Sequence, residues 1–165
     1  MRLEIKDLHG ELVARDELLR LNNWSARETS TLTRQRFDSM ISLASVATYI
    51  EPRAALLLAF AESDDYDGGH FQWFRRQFDA FLYIDRVVVA ERYRRQGLGK
   101  LLYIDVFNRA EQLGHKGVVC EVNLQPPNPN SDKFHAALGF EEVGRATIED
   151  DAKTVRYLLR RRTAI

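Results

Sequence analysis

The feature that most constrains the fold is an apolar strand that runs through a basic turn into a helix opened by glycine. Residues 80–90 are dominated by aromatic and β-branched side chains and include Val87-Val88-Val89, a composition that favours a buried strand. From residue 97 to 113, apolar side chains recur at the spacing of an amphipathic helix, and Gly114 follows them, as glycine commonly does at a helix end. Residues 118–124 form a second apolar run. This order predicts a parallel strand pair joined by a crossover helix.

Shorter elements surround that unit. Apolar or alternating runs predict further strands at residues 1–7, 46–50, 54–60, 139–147 and 154–159, and helices at 11–21, 25–42 and in a short segment ending near 138. Ser25 and Glu28 have capping-box spacing, which places the start of the second helix at Ser25. The acidic segment 62–70, which ends in Gly68-Gly69, is interpreted as a loop. Because hairpins pair antiparallel, we expect an α/β fold of the α+β type with a mixed sheet.

Composition limits the class of protein. A length of 165 residues matches one ordinary domain, so we expect residues 1–165 to form a single domain. Lys and Arg together number 24, as do Asp and Glu, so the net charge is zero and no nucleic-acid partner is expected. The sequence has no apolar run of membrane-spanning length, and its alternating N-terminus is unlike a signal peptide. We therefore expect a cytoplasmic protein without a membrane partner.

The turn after the long strand has the composition of an anion-binding site. Residues 94–100 combine two arginines and a lysine with Gly97 and Gly99. A helix N-terminus leaves about four backbone N–H groups without partners, and its dipole attracts anions. The segment lacks the Gly-Lys-Ser/Thr of a Walker loop and the third glycine of a dinucleotide fingerprint. It predicts a diphosphate site; the alternative is a glycine-started helix with solvated arginines.

Two sequence blocks, separated by one predicted helix and one predicted strand, carry a family resemblance. The first is Arg94-x-x-Gly97-x-Gly99, and the second is Asn128-x-x-Ser131-x-x-Phe134-His135-x-x-x-Gly139-Phe140. They resemble the Arg/Gln-x-x-Gly-x-Gly/Ala and Asn-x-x-Ala-x-x-Phe-Tyr-x-x-x-Gly-Phe segments of the GNAT superfamily of N-acetyltransferases. The resemblance covers residues 80–145. It implies a mostly antiparallel central sheet of about six to seven strands with one parallel splayed pair, flanked by about four helices.

The resemblance also implies acetyl-CoA as the cosubstrate. The backbone of Val87, Val88 and Val89 would bind the pantetheine arm where the two parallel strands splay apart, and the Val89 N–H would stabilise the oxyanion of the thioester. The diphosphate would be bound by the turn, which consists of Arg94, Arg95, Gln96, Gly97, Leu98, Gly99 and Lys100. Asn128, Ser131 and Phe134 would contact the cofactor from the loop and helix that follow. No metal is expected, because the remaining histidines lack metal-ligand spacing.

Three residues are candidates for moving protons. His135 stands where the family often has the tyrosine that protonates the departing thiolate; histidine can donate a proton near neutral pH, or it packs beside the cofactor. Strand alternation predicts that Asp85 and Tyr83 share a face with the first and third valines. Glu121 lies in an apolar run of the partner strand, where an acid is costly unless it is paired or functional. Asp85 or Glu121 would be the base; alternatively, Asp85 pairs with an arginine and Glu121 caps a backbone group.

The predicted reaction moves an acetyl group from acetyl-CoA to a primary amine by direct attack in a ternary complex. Cys120 is the single cysteine and so the one thiol that could relay the group. The acceptor is a small-molecule or peptide amine, and residues 22–40, 62–67 and 71–74 are expected to border its pocket. The alternatives are a non-catalytic acyl-CoA-binding or regulatory module and a nucleotide-phosphate binder. Whether two copies form a homodimer stays open.

Overall fold

The structure is a computed structural model, and it describes residues 3–25, 29–148 and 153–163. The strands in chain order are β1 (Ile5–Asp7), β2 (Val46–Ile50), β3 (Ala55–Ala61), β4 (Phe81–Val89), β5 (Gly117–Gln125), β6 (Glu141–Ile148) and β7 (Lys153–Arg161). The helices are α1 (Arg15–Trp24), α2 (Arg34–Leu43), α3 (Gly69–Gln77), α4 (Leu98–Gln112) and α5 (Pro129–Ala137), and a short 3-10 turn covers Glu91–Tyr93. Among the described residues, no helix is both long and apolar enough to cross a membrane.

The strands form a seven-stranded sheet in the order β1-β2-β3-β4-β5-β7-β6. β4 and β5 are parallel, and the other neighbouring strands of this sheet pair antiparallel. α4 connects the parallel pair, as the order of strand, helix and strand predicted. The expected mixed, mostly antiparallel sheet with one parallel pair is therefore confirmed.

A β-bulge in β4 interrupts its pairing with β3. Leu58 pairs with Arg86, and the next residue of β3, Ala59, pairs with Ile84, so Asp85 is an extra residue in β4. An extra residue opposite a regular strand shifts the alternation of side chains beyond it. The two ends of β4 therefore follow different alternations.

The bulge corrects one expectation about the site. Tyr83 packs with Val88 in the core on one face of the sheet, whereas Val87 and Val89 pack against the core on the other face. The prediction that Tyr83 and Asp85 share a face with Val87 and Val89 is wrong. A strict period of two does not survive an inserted residue.

The helices divide between the two faces of the sheet. The first face is covered by α1, α2 and α3, which bury Leu18, Phe37 and Phe74. The second face is covered by α4 and α5, with Leu102 of α4 in the core and Phe134 of α5 packed against it. Each face thus has its own apolar core, with the sheet between them.

Helix α3 was not predicted, so the described part of the chain has five helices where about four were expected. It begins at Gly69, within the segment that was interpreted as a loop. Phe71 and Phe74 lie three residues apart and are fully buried, which is the spacing of a helix face. Gly68-Gly69 obscured that signal because paired glycines usually mark loops.

Helix α2 begins later than predicted. Its N-cap is Thr33, whose hydroxyl accepts a hydrogen bond from the Arg36 N–H at 3.0 Å, whereas Ser25 ends α1. The start predicted at Ser25 is therefore wrong: Ser25 is the C-cap of the preceding helix, and the next helix has its N-cap at Thr33. Glu28, the partner of Ser25 in the expected capping box, lies outside the described residues.

Candidate active site

The candidate site is centred on a gap between β4 and β5. The two strands pair only from Phe81 and Gly117 to Tyr83 and Val119. Beyond those residues, β4 continues to pair with β3 and β5 continues to pair with β7. In the described sheet, one edge of each strand therefore lacks a strand partner beside the gap.

The backbone of β4 directs polar groups into this gap. The N–H of Ala90 donates to the carbonyl of Ala54 at 2.8 Å, and hydrogen-bonded and non-bonded pairs alternate along an antiparallel ladder. Val87 and Val89 are therefore at positions whose N–H and C=O groups point away from β3, toward the gap. The N–H and C=O groups of Val88 point toward β3. Val87 thus offers both groups to a ligand, whereas Val89 offers its N–H, because its carbonyl accepts a hydrogen bond from Arg94 Nε at 3.2 Å.

The turn after β4 presents backbone N–H groups at the start of α4. Gly97 is the N-cap residue with a φ of +79°, a left-handed conformation that strains a residue with a Cβ. No described side chain caps this helix, so its first amides are open to an anion. Exposed polar side chains surround them: Arg94, Arg95, Gln96 and Lys100. The turn therefore fits a diphosphate.

The second sequence block folds against the first. Asn128 is the N-cap of α5, and its Oδ1 accepts a hydrogen bond from the Ser131 N–H at 3.2 Å. Phe134, one turn later, faces the start of α4, since a Cβ placed on Gly99 would lie 3.7 Å from its ring. Leu98 buries its side chain, while its backbone amide belongs to the turn at the start of α4. The two motifs that carry the family resemblance therefore converge beside the gap.

His135 lies between α4 and α5 with both ring nitrogens engaged. Nδ1 is 2.8 Å from the carbonyl oxygen of Ser131, and Nε2 is 2.9 Å from the hydroxyl of Tyr103. Because a carbonyl oxygen only accepts, Nδ1 carries the proton and Nε2 accepts from Tyr103. Burial lowers the pKa of His135, which favours this neutral form. Its one ring proton is thus directed at Ser131. Tyr103 was not among the predicted site residues.

Glu121 lies on the first face of the sheet, where β4 and β5 begin to separate. The Tyr83 hydroxyl donates to Glu121 Oε2 at 2.8 Å, from one strand to the other. Burial raises the pKa of Glu121 to about 8, and the charge of Asp85 acts in the same direction, while the hydrogen bond from Tyr83 opposes them. A carboxyl group with this pKa can exchange protons near neutral pH.

Asp85 belongs to a buried ion-pair network. Its Oδ1 accepts from the Tyr66 hydroxyl at 2.6 Å, and its Oδ2 accepts from Arg86 Nε at 2.7 Å. Arg86 is 7% exposed and also donates to Asn22 Oδ1 at 2.9 Å and to the Ser30 carbonyl at 3.2 Å. Asp85 therefore pairs with an arginine, one of the alternatives that the sequence left open. The network ties β4 to α1 through Asn22 and to the chain that follows α1 through Ser30.

Helix α3 and strand β7 bring a further polar pair to the first face. His70 Nδ1 lies 2.9 Å from the Tyr157 hydroxyl, and Trp73 stacks on the Tyr157 ring with centroids 4.0 Å apart. Tyr157 is the ladder partner of Glu121 in β5. The pairing of His70 with Tyr157 was not predicted, because the helix that carries His70 was not predicted.

Two of the four acids of the loop before α3 have partners within the fold. Asp64 accepts hydrogen bonds from the backbone and hydroxyl of Ser45, and Asp67 pairs with Arg36 at 2.5 Å. Tyr66 is the loop residue that reaches the site through Asp85. Asp64 and Asp67 therefore have a structural role.

Cys120 lies on the second face and is 2% exposed. Burial raises the pKa of its thiol well above the ordinary value, and the thiol form is a poor nucleophile. Within the described ranges, no group of three or more His, Cys, Asp and Glu side chains could hold a metal ion.

A mixed sheet that opens along its parallel pair, with a glycine turn at one end of the gap, is the GNAT acyltransferase architecture. The sequence matches the acetyltransferase (GNAT) domain family over residues 15–160. The chain therefore belongs to the GNAT acetyltransferase family. None of the curated protein sequences is significantly similar to it.

Solved structures have the same fold at low sequence identity. Ard1 from Thermoplasma volcanium is 14% identical with a TM-score of 0.78, over 99% of this chain and 100% of that one. The ribosomal-protein-S18-alanine N-acetyltransferase from Escherichia coli is 15% identical with a TM-score of 0.69, over 99% and 96%. Salmonella typhimurium yncA, whose structure contains acetyl-CoA, is 13% identical with a TM-score of 0.73, over 100% and 96%.

Proposed function

We propose that this protein transfers the acetyl group of acetyl-CoA to a primary amine by direct attack in a ternary complex. The observation that carries the proposal is the position of Glu121. It lies at the mouth of the strand gap, on the face opposite α4 and α5, with its pKa raised to about 8. The acyl donor and the amine can thus reach the gap from opposite faces of the sheet.

The geometry of the second face supports a proposed set of binding residues for the donor. The first amides of α4, opened by Gly97, would bind the diphosphate. The pantetheine arm would extend along β4 beside Val87 and Val89, with Asn128 and Phe134 on its other side. When bound, acetyl-CoA supplies a thioester carbonyl that the amine can attack. The Val89 N–H, directed into the gap, would stabilise the developing oxyanion.

Glu121 is the proposed general base. An amine that arrives as an ammonium ion must lose a proton before its nitrogen can attack, and a base is most effective when its pKa is near the working pH. The paired carboxylate of Asp85 contributes to this tuning, because its charge raises the pKa of Glu121. Since both Asp85 oxygens already accept hydrogen bonds, we assign Asp85 a positioning role.

His135 is assigned to packing and orientation. Its ring proton is directed at Ser131, and its other nitrogen accepts from Tyr103, so this arrangement holds no proton for the departing sulfur. A thiol ionises near pH 8.5, about the value of free cysteine, so the thiolate can leave without an acid. The general-acid role suggested by the family motif is therefore not part of the proposal.

The test is release of free thiol from acetyl-CoA over a panel of amines. One structural neighbour is named for an alanine of ribosomal protein S18 and another for phosphinothricin. The panel therefore includes an alanine-starting peptide and phosphinothricin, with a polyamine, free amino acids and an aminoglycoside. Amine-dependent thiol release with acetylation of that amine supports the proposal. If CoA binds by calorimetry and no amine provokes release, the chain is an acyl-CoA-binding module. Binding of ATP without binding of CoA would instead indicate a nucleotide-phosphate binder.

A further inference from the structure

We propose that a groove between α1 and the end of β4 binds an uncharged, apolar substituent of the acceptor. The acceptor is then a primary amine that carries an aromatic or branched aliphatic group. This inference rests on the proposed function and adds the chemical class of its amine. It also makes Trp24, at the wall of the groove, a residue that determines specificity.

The groove has the size and the lining of a small-molecule site. Its volume is about 670 Å³, and ligand pockets in proteins typically enclose about 300–1,000 Å³ between apolar and aromatic side chains. The apolar lining consists of Leu21 and Trp24 of α1 and of Ala90, which directly follows β4. Trp24 is 85% exposed, so a ligand in the groove would cover a ring that now faces water.

Helix α1 crosses the first face of the sheet toward the strand gap. At the start of the helix, Arg15 donates to the carbonyl of Leu8, just after β1, at 3.3 Å. Near its end, Asn22 accepts from Arg86 of β4 at 2.9 Å. The sheet order places β4 between β1 and the gap. Trp24, two residues beyond Asn22, therefore lies at the end of α1 that is nearer to the gap.

The groove runs along the same part of α1. At one end, the carboxylate of Glu17 is 3.7 Å from Nε of Arg53, in the turn between β2 and β3. Trp24 is about 10 Å further along the helix, at ~1.5 Å per residue. The groove therefore extends from the β2–β3 turn, past the end of β4, toward the gap.

The position of Ala90 connects the groove to the proposed reaction. Ala90 directly follows Val89, whose N–H is the proposed oxyanion donor, and consecutive Cα atoms are ~3.8 Å apart. It lies two residues after Val88, whose side chain is in the core of the first face, so alternation places Ala90 on that face too. A group a few bonds from the amine nitrogen can thus enter the groove while the nitrogen is at the gap.

The charges at the rim of the groove favour an uncharged group. The charged lining residues are two acids, Glu17 and Glu91, and two arginines, Arg20 and Arg92. All four are exposed, so their charges balance and stay hydrated. A polyamine or an aminoglycoside would find no excess of negative charge here, and its ammonium groups would lose water against an apolar wall. An aromatic or aliphatic group gains free energy by leaving water.

The test uses acceptors that differ only in the apolar group, because this group can belong to a free amine or to the first residue of a peptide. The free amines are 2-phenylethylamine and ethylamine. The peptides are two tetrapeptides that start with phenylalanine or with glycine, and spermidine represents the polycations. Acetylation of each acceptor is measured as kcat/KM with saturating acetyl-CoA.

Two variants change the groove, and a third is the control. Trp24→Ala removes the exposed wall, and Ala90→Leu fills the space beside it. Leu12→Ala is the control, since Leu12 is also an exposed apolar residue, 65% exposed, but precedes the other end of α1. Circular dichroism verifies that each variant is folded.

We expect the apolar member of at least one pair to have a kcat/KM at least about tenfold above that of its partner. Trp24→Ala and Ala90→Leu should remove this preference and leave KM for acetyl-CoA within about twofold, and Leu12→Ala should match the wild type. The pair that shows the preference identifies the source of the group. Equal values within both pairs, a preference that persists in Trp24→Ala, or a higher value for spermidine would overturn the proposal.

A binding measurement separates this proposal from the proposed function. In the wild type, 2-phenylethylamine should shift the tryptophan emission to shorter wavelength, whereas ethylamine should not. The shift should be absent in Trp24→Ala, which keeps Trp73, the other tryptophan. If no amine is acetylated, the proposed function fails, but this titration needs no turnover and still tests the groove. A wild-type dimer that Trp24→Ala converts to a monomer would show that the groove binds a second copy and would overturn the proposal.

Discussion

Arg86 and Asp85 are consecutive in the chain, yet their side chains meet, with Arg86 Nε 2.7 Å from Asp85 Oδ2. Neighbours in a regular strand point to opposite faces. The bulge at Asp85 removes that restriction, so a buried cation can neutralise the acid beside the active site. The charge of Asp85 raises the pKa of Glu121, and the charge of Arg86 opposes this effect.

Replacement of Arg86 by Met should destabilise the fold strongly. Asp85 would remain buried without its cation, and Asn22 and Ser30 would lose a partner. Removal of one member of a buried ion pair typically costs about 3–5 kcal/mol. The measurement is the free energy of unfolding in urea. The control is Arg145→Met, which removes an exposed pair with Glu142 and should cost less than about 1 kcal/mol. Equal effects of the two variants would contradict the assigned network.

Glu121→Gln should lower kcat by about 100-fold or more. It should also remove the part of the pH dependence of kcat that comes from ionisation of Glu121. In the wild type, Glu121 must be ionised to accept a proton, so kcat should rise with pH through about 8. Glutamine can still accept the hydrogen bond from Tyr83 but cannot take the proton. The measurement is the profile of kcat between pH 6 and 10. Glu111→Gln, on the exposed side of α4, is the control, and a wild-type profile in Glu121→Gln would exclude Glu121 as the base.

The same residue predicts a pH dependence of stability. The pKa of Glu121 rises from 4.5 to about 8 on folding, so the folded state binds this proton more tightly than the unfolded state. The resulting stabilisation is present below pH 4.5 and is lost as the pH rises through 8. The Glu121→Gln variant has no carboxyl group at this position, so it does not lose stability in this way as the pH rises. Its Tm relative to that of the wild type should therefore be higher at pH 9 than at pH 5; a constant difference would show that Glu121 ionises normally.

Gly97→Val should weaken CoA binding by more than tenfold, because strain at a φ of +79° would distort the turn that presents the amides. Gly114→Val is a matched control. Gly114 has a φ of +78°, also with nothing within 4 Å of an added Cβ, but lies at the other end of α4. Both variants should lose similar stability, and only Gly97→Val should lose CoA affinity by calorimetry. Equal CoA affinities would place the diphosphate elsewhere.

Cys120→Ala should keep the wild-type kcat within about twofold, because direct attack by the amine needs no thiol relay. The side chain is buried on the second face with its pKa raised, so the nucleophilic thiolate is disfavoured. Activity and mass spectrometry of protein mixed with acetyl-CoA check this. Loss of activity in a folded variant, with acetyl-cysteine in the wild type, would instead establish transfer through Cys120.

The segment from β4 to α5 could be predicted from sequence because its signals are local. The valine run fixes a strand, Gly97 and Gly114 bracket a helix, and Pro129 follows an N-cap asparagine. Each of these patterns depends on residues a few positions apart. The start of α2 was predicted wrongly because Ser25 and Thr33 are both possible N-caps, and a local pattern does not rank them.

The part of the site that contains Asp85 and Glu121 could not be predicted to the same extent. Both acids were identified as candidates in the sequence, but their arrangement depends on the bulge at Asp85. An alternating strand pattern gives no sign of an inserted residue. The contact between His70 and Tyr157 joins segments 87 residues apart. Contacts of that kind follow from how α3 packs on the sheet, which no local pattern encodes.

The division of the helices between the two faces has a consequence for how such a protein diversifies. α1, α2 and α3 all precede β4 in the chain, and α4 and α5 follow it. The helices on the face where we propose that the amine binds are thus encoded in the first half of the chain, and those on the face of the turn at residues 94–100 in the second. Under the proposed function, changes in the first half would alter which amine is accepted while the turn stays intact. In a chimera that joins the first half of one relative to the second half of another, the amine selectivity would come from one parent. The binding of the acyl donor would come from the other.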